Sequence, residues 1–193
     1  MSTRKTWILG ILAAMALAHA AQAQPQTWGI GATYGSVNDI SHSFSLEGFK
    51  PSEYTVFADY NIERTTLLRM TYGSMWTQQS QSGQVVNGVF VPSAKEHVNY
   101  LTVDASYLFV ESFYTAGVFG GLGGYQYKPE PMPEGFEQFQ DPDQKYFGFN
   151  LGVDGEFRVT RNLGVVLRLT YHNIAAHPHR QFFNADAGLV ARF

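Results

Sequence analysis

The chain has 193 residues, a formal net charge of −3 and no cysteine. The lack of cysteine excludes a disulfide framework, and the acidic balance provides no basic surface of the kind that binds nucleic acid, so no nucleic-acid partner is expected. Aromatic residues make up 15% of the sequence and glycine occurs 19 times. That composition is typical of closely packed strands with aromatic rings at a lipid–water boundary.

Residues 1–23 are predicted to be a cleavable signal peptide. Arg4 and Lys5 precede an apolar run from Trp7 to Leu17, and Ala21-Gln22-Ala23 has the small-x-small pattern that a signal peptidase reads. We expect cleavage after Ala23, which leaves 24–193 as one domain. The apolar run is shorter than the roughly 20 residues that a spanning helix needs. No later segment is long enough either, which excludes an all-helical membrane protein.

Eight segments of alternating apolar and polar residues follow in chain order. They are Thr27–Gly35, Glu53–Ile62, Thr66–Trp76, His97–Phe109, Phe113–Tyr125, Lys145–Arg158, Leu163–His172 and Phe182–Phe193. Each has about the length of a tilted membrane-spanning strand. Tight turns alternate with long connections at 36–52, 77–96, 126–144 and 173–181. This order predicts an all-β fold, an eight-stranded antiparallel up-and-down transmembrane β-barrel with both termini at the short-turn end.

Alternation alone does not say which face points inward, because a soluble lipocalin-like barrel has the same pattern inside out. The polar face carries five acids and four arginines but no lysine: Asp59, Arg69, Asp104, Asp154, Glu156, Arg158, Arg168, Asp186 and Arg192. A packed polar interior favours the bidentate geometry of arginine, whereas a surface in water normally includes lysine. These residues are therefore predicted to form a structural charge network in the lumen.

The apolar face carries aromatic rings mainly near the strand ends. Toward the short turns lie Trp28, Tyr60, Phe109, Tyr114, Phe157 and Phe193, and toward the long loops lie Tyr34, Tyr54, Tyr72, Trp76, Phe147, Tyr171 and Phe183. Aliphatic or small residues occupy the band between them. Two aromatic belts around an aliphatic band are what a bilayer selects, so this face is predicted to contact lipid.

Candidate chemistry in the sequence is sparse, and we expect no catalytic, cofactor-binding or metal-binding residues. The loop histidines His172, His177 and His179 match no established metal spacing. The glycine-rich segment 120–124 lacks the lysine of a phosphate-binding loop. An eight-stranded interior is just wide enough to be filled by side chains. A conduit would instead need Phe57, Tyr100 and Phe119 to line an apolar cavity.

Three stretches resemble a known family: Tyr100 to Phe109 (YLTVDASYLF), Tyr114 to Gly123 (YTAGVFGGLG) and Gly188 to Phe193 (GLVARF). They are similar to the small outer-membrane β-barrels that include the OmpA transmembrane domain, OmpX, Ail and the opacity proteins. The resemblance implies an outer-membrane location in contact with lipid and lipopolysaccharide. It also implies insertion by the barrel-assembly machinery, which recognises a C-terminal aromatic, here Phe193.

Members of that family serve as structural, adhesive or host-evading surface proteins. We therefore interpret the chain as a non-enzymatic outer-membrane protein whose loops 36–52, 77–96, 126–144 and 173–181 bind an extracellular ligand. The alternative is an OmpW-like conduit for small hydrophobic molecules. A lipid A-modifying enzyme is the third interpretation. Where deacylases of that kind carry His-x-Ser, this chain has His172-Asn173-Ile174, so the serine is missing.

Overall fold

The computed structural model describes residues 28–41, 50–79, 82–110, 114–176 and 179–193. Its strands are β1 (Trp28–Asp39), β2 (Lys50–Glu63), β3 (Thr66–Gln78), β4 (Val85–Val86), β5 (Val89–Phe90), β6 (Lys95–Val110), β7 (Tyr114–Pro129), β8 (Gln144–Arg158), β9 (Leu163–Ile174) and β10 (Arg180–Arg192). The predicted signal peptide and the predicted strand starts at Thr27 and Phe113 lie outside the described residues.

Eight of these strands close into one antiparallel barrel in the order β1-β10-β9-β8-β7-β6-β3-β2. The first and last strands complete the ring: the Trp28 N–H donates to the Phe193 carbonyl and the Phe193 N–H donates to the Trp28 carbonyl, each at 3.1 Å. The predicted fold class is therefore confirmed. Across the described residues, helical structure amounts to a single 3-10 turn at Glu137–Phe139, and no helix could cross a membrane.

Successive residues of each strand alternate between a buried inner face and an exposed outer face. In β10, Phe182, Asn184 and Val190 are fully buried, whereas Leu189 on the other face is 54% exposed. Glycines on the inner face make room for larger neighbours. A Cβ at Gly152, for example, would lie 2.6 Å from the Phe119 ring. The narrow interior is thus filled by pairing small residues with large ones.

Most strands extend further at the loop end than the sequence predicts. β6 begins at Lys95 instead of His97, β7 ends at Pro129 instead of Tyr125, and β10 begins at Arg180 instead of Phe182. Beyond the lipid, both faces of a strand can be polar, so the apolar alternation stops while the ladder continues. The true connections are consequently shorter: 40–49 (loop 1), 79–94 (loop 2), 130–143 (loop 3) and 175–179 (loop 4).

Loop 2 contains a small hairpin in a segment that the sequence pattern predicts to be a long connection without strands. β4 and β5 pair Val85 with Phe90 and Val86 with Val89. Between them Asn87 and Gly88 have positive φ angles of 51° and 80°. An Asn-Gly pair in this conformation is the usual two-residue turn of a tight hairpin.

Candidate functional site

The charged side chains nearest the short-turn end form one continuous row across the barrel. Contacts run from Glu156 to Arg192, Asp59, Arg69 and Asp154 in turn. Arg69 reaches Asp59 at 3.0 Å and Asp154 at 2.9 Å. Each of the five side chains is 10% exposed or less. Three carboxylates therefore share two guanidinium groups inside a barrel that would penalise any of them if left unpaired.

Arg168 forms a second layer above this row. It is paired with Asp104 at 2.5 Å, and Asn150 donates a 2.7 Å hydrogen bond to the other oxygen of that carboxylate. The guanidinium also lies 3.9 Å from the centre of the Phe119 ring and donates to the Thr71 hydroxyl at 3.3 Å. Arg168 thus ties together strands β3, β6 and β7 across the lumen.

Seven of the nine residues predicted for the lumen network form these ion pairs, and Arg158 does not. Its side chain is exposed, so its predicted position was wrong. Arg158 is the last residue of β8, at the point where the strand leaves the barrel at the short-turn end. Parity along the strand assigned it to the inner face, but at this height the inner face is already open to water.

Asp186, the remaining predicted residue, is buried next to Glu53, whose carboxyl group is not part of the predicted lumen network. Gly35 pairs with Asp186 on one side and with Glu53 on the other. Because Gly35 has no side chain, the two carboxyl groups can meet above it. Glu53 is fully buried and accepts hydrogen bonds from the Tyr100 hydroxyl and, at 2.8 Å, from the Asn184 amide.

The loop half of the lumen is filled by apolar side chains. The buried cluster consists of Val37, Met75, Val98, Tyr100, Tyr125, Tyr127, Ile174, Ala176 and Phe182. Arg180 lies over it, 5.6 Å from the Tyr127 ring and 5.4 Å from the Phe182 ring. It pairs with Glu96 at 2.5 Å and with Asp39 at 3.2 Å. We refer to the buried apolar cluster as the apolar plug. The two ion pairs of Arg180 cover this plug at the loop end of the barrel.

The three rings that a conduit would need are part of the packing. Phe57 is covered by the Arg69 guanidinium at 4.4 Å, Phe119 by Arg168, and Tyr100 is bonded to Glu53. A central cavity among Thr71, Thr102 and their neighbours measures about 10 Å³. That volume holds about one water molecule. The side chains thus fill the lumen instead of lining a path through it.

We expect the purified protein to produce no stepwise conductance in planar lipid bilayers, because the charged layers and the apolar plug leave no continuous water path. A general porin measured in the same bilayers supplies the positive control. Reproducible single-channel steps from heat-modifiable, folded protein would contradict this description of the lumen.

Of the three histidines that the sequence places in or beside the last long loop, His172 belongs to the packed lumen. His172 is 2% exposed inside the barrel, and its Nδ1 shares a 2.8 Å hydrogen bond with the Tyr125 hydroxyl. His177 lies outside the described residues. Within the described ranges, no group of three or more histidine or acidic side chains has the arrangement of a metal site.

The predicted belt residues lie on the outer wall. Nine of them are exposed: Trp28, Tyr34, Tyr54, Tyr60, Tyr72, Trp76, Phe109, Phe147 and Phe157. Tyr114, Tyr171, Phe183 and Phe193 are half-buried. Trp28 and Tyr60 are in contact, with ring centres 4.7 Å apart. At the loop end Trp76 stacks on His97 at 4.2 Å.

Loops 2 and 3 fold together above the barrel. The Gln79 amide donates to the Glu130 carbonyl at 2.6 Å and accepts from the Asp141 N–H at 3.1 Å. Val91, Ala94 and Met132 form a buried cluster against which Val86, Phe136 and Phe139 pack. We refer to loops 2 and 3 together as the loop platform.

The loop platform has an apolar part and an acidic part. The β4–β5 hairpin exposes Val85 by 68%, Val89 by 46% and Phe90 by 61%. No charged residue occurs in 79–94, whereas loop 3 carries five acids and no lysine or arginine: Glu130, Glu134, Glu137, Asp141 and Asp143. Backbone N–H groups, including that of Gly135 at 3.1 Å, lower the pKa of Glu137 and keep it charged.

The comparison with protein families decides the class of this chain. The family described as outer membrane protein beta-barrel domain matches residues 8–193. The chain belongs to this outer-membrane β-barrel family. A search of curated proteins found no matching sequence.

Solved structures of small outer-membrane barrels superpose on this family member. The N-terminal β-barrel domain of Pseudomonas aeruginosa OprF is 16% identical, with a TM-score of 0.57, over 88% of this chain and 100% of that one. Neisserial surface protein A is 16% identical, with a TM-score of 0.56, over 86% and 97%.

The third structure is Ail, the attachment invasion locus protein of Yersinia pestis, solved in complex with the heparin analogue sucrose octasulfate. It is 13% identical, with a TM-score of 0.51, over 87% of this chain and 97% of that one. At these identities the likenesses show the fold alone. Family membership places this barrel among outer-membrane proteins.

Proposed function

We propose that this outer-membrane barrel is a non-enzymatic surface protein that binds a partner through the loop platform. The observation that carries the proposal is the exposed Val85, Val89 and Phe90 on an ordered hairpin. Contiguous apolar side chains on a soluble surface mark interaction sites, and aromatic residues are enriched among the strongest contacts. Because the lumen is filled, the barrel serves as a rigid support for this surface.

The acidic loop restricts the chemistry of the partner. Five carboxylates beside an uncharged hairpin favour a protein surface that offers apolar groups surrounded by basic residues. The same charges repel sulfated polysaccharides. We therefore expect adhesion to a protein, and no binding of the heparin analogue that Ail binds.

The test is adherence of bacteria expressing the protein to cultured epithelial cells. Replacing Val89→Ser and Phe90→Ser together is expected to reduce adherence about tenfold or more, since apolar hot-spot residues contribute at least that factor. Val159→Ser is the matched control, because Val159 is 61% exposed at the short-turn end of the barrel.

Heat-modifiable migration and surface labelling should show that all variants are folded and exported equally. Equal adherence of wild type, the double variant and cells lacking the protein would reject the proposal. Saturable binding of heparin to the purified, folded protein would show that the loop platform accepts a polyanion, contrary to the charge argument.

Export by a cleaved signal peptide is part of the proposal. N-terminal sequencing of the outer-membrane form should begin at Gln24. The remaining partners that we propose are the barrel-assembly machinery, through Phe193, and the lipids of the membrane.

A further inference from the structure

Glu53 and Asp186 meet inside the barrel although their strands are not neighbours. Between them lies Gly35 of β1, which pairs with Glu53 on β2 and with Asp186 on β10. Two strand spacings separate the two backbones by about 10 Å. Because Gly35 has no side chain, both side chains extend over it, and their carboxyl groups come within hydrogen-bond distance of each other. The lumen therefore holds two acidic groups in direct contact.

Each of these carboxyl groups has an oxygen atom without a donor among the residues that the structure describes. The Tyr100 hydroxyl and the Asn184 amide both donate to Oε1 of Glu53, and Oε2 receives no hydrogen bond. Oδ1 of Asp186, which lies over Gly35, likewise receives none. Glu53 is fully buried and Asp186 is 7% exposed. Two acceptors thus face each other away from bulk solvent.

In the described ranges, neither carboxyl group has a basic partner. The ion pairs there join arginines to other acids. Arg168 lines the same small cavity as Asp186, but its guanidinium is paired with Asp104. If both carboxyl groups were ionised, two adjacent negative charges would be buried without a direct counter-ion, which is costly. One proton supplies the donor that both oxygen atoms lack.

We propose that Glu53 and Asp186 form a proton-binding site in the lumen, with one proton shared between Glu53 Oε2 and Asp186 Oδ1 in the folded barrel at neutral pH. The proton turns one of the two acceptors into a donor and so satisfies both oxygen atoms at once. The pair then carries one negative charge instead of two. This site is separate from the loop platform, so it stands or falls independently of the proposed adhesion.

The proton-binding site lies against the apolar plug. Tyr100, which donates to Glu53, and Met75, whose sulfur accepts from the Asn184 amide at 3.9 Å, both belong to the plug. Without the proton, two carboxylates would repel each other next to these side chains. The shared proton thus allows an apolar cluster to pack directly on an acidic pair.

The shared proton makes the stability of the barrel depend on pH. In the unfolded chain both carboxyl groups are ionised above about pH 5, because aspartate and glutamate titrate near pH 4. Above that pH the folded state binds one proton more than the unfolded state, so stability falls as the pH rises. One proton changes the folding equilibrium constant by up to about tenfold per pH unit. The dependence ends where the folded pair loses its proton.

Other titratable or charged side chains also face the pair. They are Tyr100 on β6, Tyr125 on β7, and Arg168 and His172 on β9. These side chains are present in the wild type and in variants of the pair. A comparison of the two therefore cancels their contributions to the pH dependence.

The first experiment is infrared spectroscopy at neutral pH of the folded barrel in a detergent without ester or carboxyl groups. A protonated carboxyl group has a C=O stretching band that a carboxylate lacks and that shifts in D₂O. Glu53→Gln and Asp186→Asn should each remove one such group from the wild-type spectrum. Asp59→Asn is the matched control. Asp59 is as deeply buried but contacts Arg69 and Arg192, so its replacement should leave the band unchanged.

The second experiment is urea unfolding in lipid vesicles between about pH 6 and 9. In Glu53→Gln the new amide donates to Asp186 at every pH, so this variant should be at least as stable as the wild type. Its folding equilibrium constant relative to the wild type should rise by up to about tenfold per pH unit. Asp59→Asn should instead lower the urea midpoint at every pH and keep the wild-type pH dependence.

Three results would overturn the proposal. The first is an infrared band that neither Glu53→Gln nor Asp186→Asn changes. The second is the same pH dependence of stability in the wild type and in both variants. The third is a rise in the wild-type urea midpoint upon addition of Ca²⁺ or Mg²⁺ that Glu53→Gln abolishes, which would show that a metal cation bridges the carboxylates in place of a proton.

Discussion

Replacing Arg168→Ala is expected to lower the free energy of unfolding of the barrel by about 3–5 kcal/mol, the usual cost of removing one partner of a buried ion pair. Asp104, which is 1% exposed, would keep only the hydrogen bond from Asn150. The Phe119 ring would lose the guanidinium that covers it, and the Thr71 hydroxyl would lose its donor. The loss is large because an uncompensated charge would remain buried in the lumen.

The measurement is urea unfolding in lipid vesicles, followed by the heat-modifiable shift on unboiled gels. Arg158→Ala is the matched control: the sequence pattern groups it with Arg168, but its side chain is exposed at the end of β8. Its unfolding midpoint should remain that of the wild type. If Arg168→Ala unfolds at the wild-type urea concentration, the ion-pair network does not stabilise the barrel.

The sequence allows the inner and outer faces to be predicted well wherever a strand crosses lipid. There the period of two separates Asp104 from Val103 and Arg168 from Leu167, because hydrocarbon on one side and a packed polar lumen on the other select opposite residue types. Seven of the predicted charges consequently meet in ion pairs. Which arginine contacts which acid depends on register across the barrel, which alternation does not encode.

Prediction from the sequence is weaker beyond the belts, where this selection ends. Arg180 and Glu96 extend the inner face of β10 and β6, yet their neighbours Gln181 and Lys95 are polar too, so no alternation separates them from loop residues. Glu53 begins the strand predicted over Glu53–Ile62, but nothing in the sequence indicates that Gly35 leaves room for the Glu53 carboxyl group beside Asp186. The hairpin in loop 2 did have a signal, Asn87-Gly88 between valines.

The glycine-rich segment of β7 provides a direct test of which face points inward. A Cβ at Gly121 would clash with the Asp104 carboxylate and the Val103 carbonyl, whereas a Cβ at Gly124 meets no atom within 4 Å. Gly121→Ala is therefore expected to destabilise the barrel by about 1–3 kcal/mol, the cost of overpacking an interior. Gly124→Ala should be neutral or slightly stabilising, because alanine restricts the unfolded chain.

Gly123 and Gly120 of the same strand provide a second comparison between an inner-face glycine and an outer-face glycine. A Cβ at Gly123 would lie 2.6 Å from Thr102 Cγ2 and 2.7 Å from the Leu101 carbonyl, whereas at Gly120 the nearest atom, the Asn150 carbonyl oxygen, is 3.9 Å away. Urea midpoints for the four alanine variants should thus separate by face: Gly121 and Gly123 below the wild type, Gly120 and Gly124 at or above it. The reverse order would mean that the polar face, with its arginines and carboxylates, lies outside.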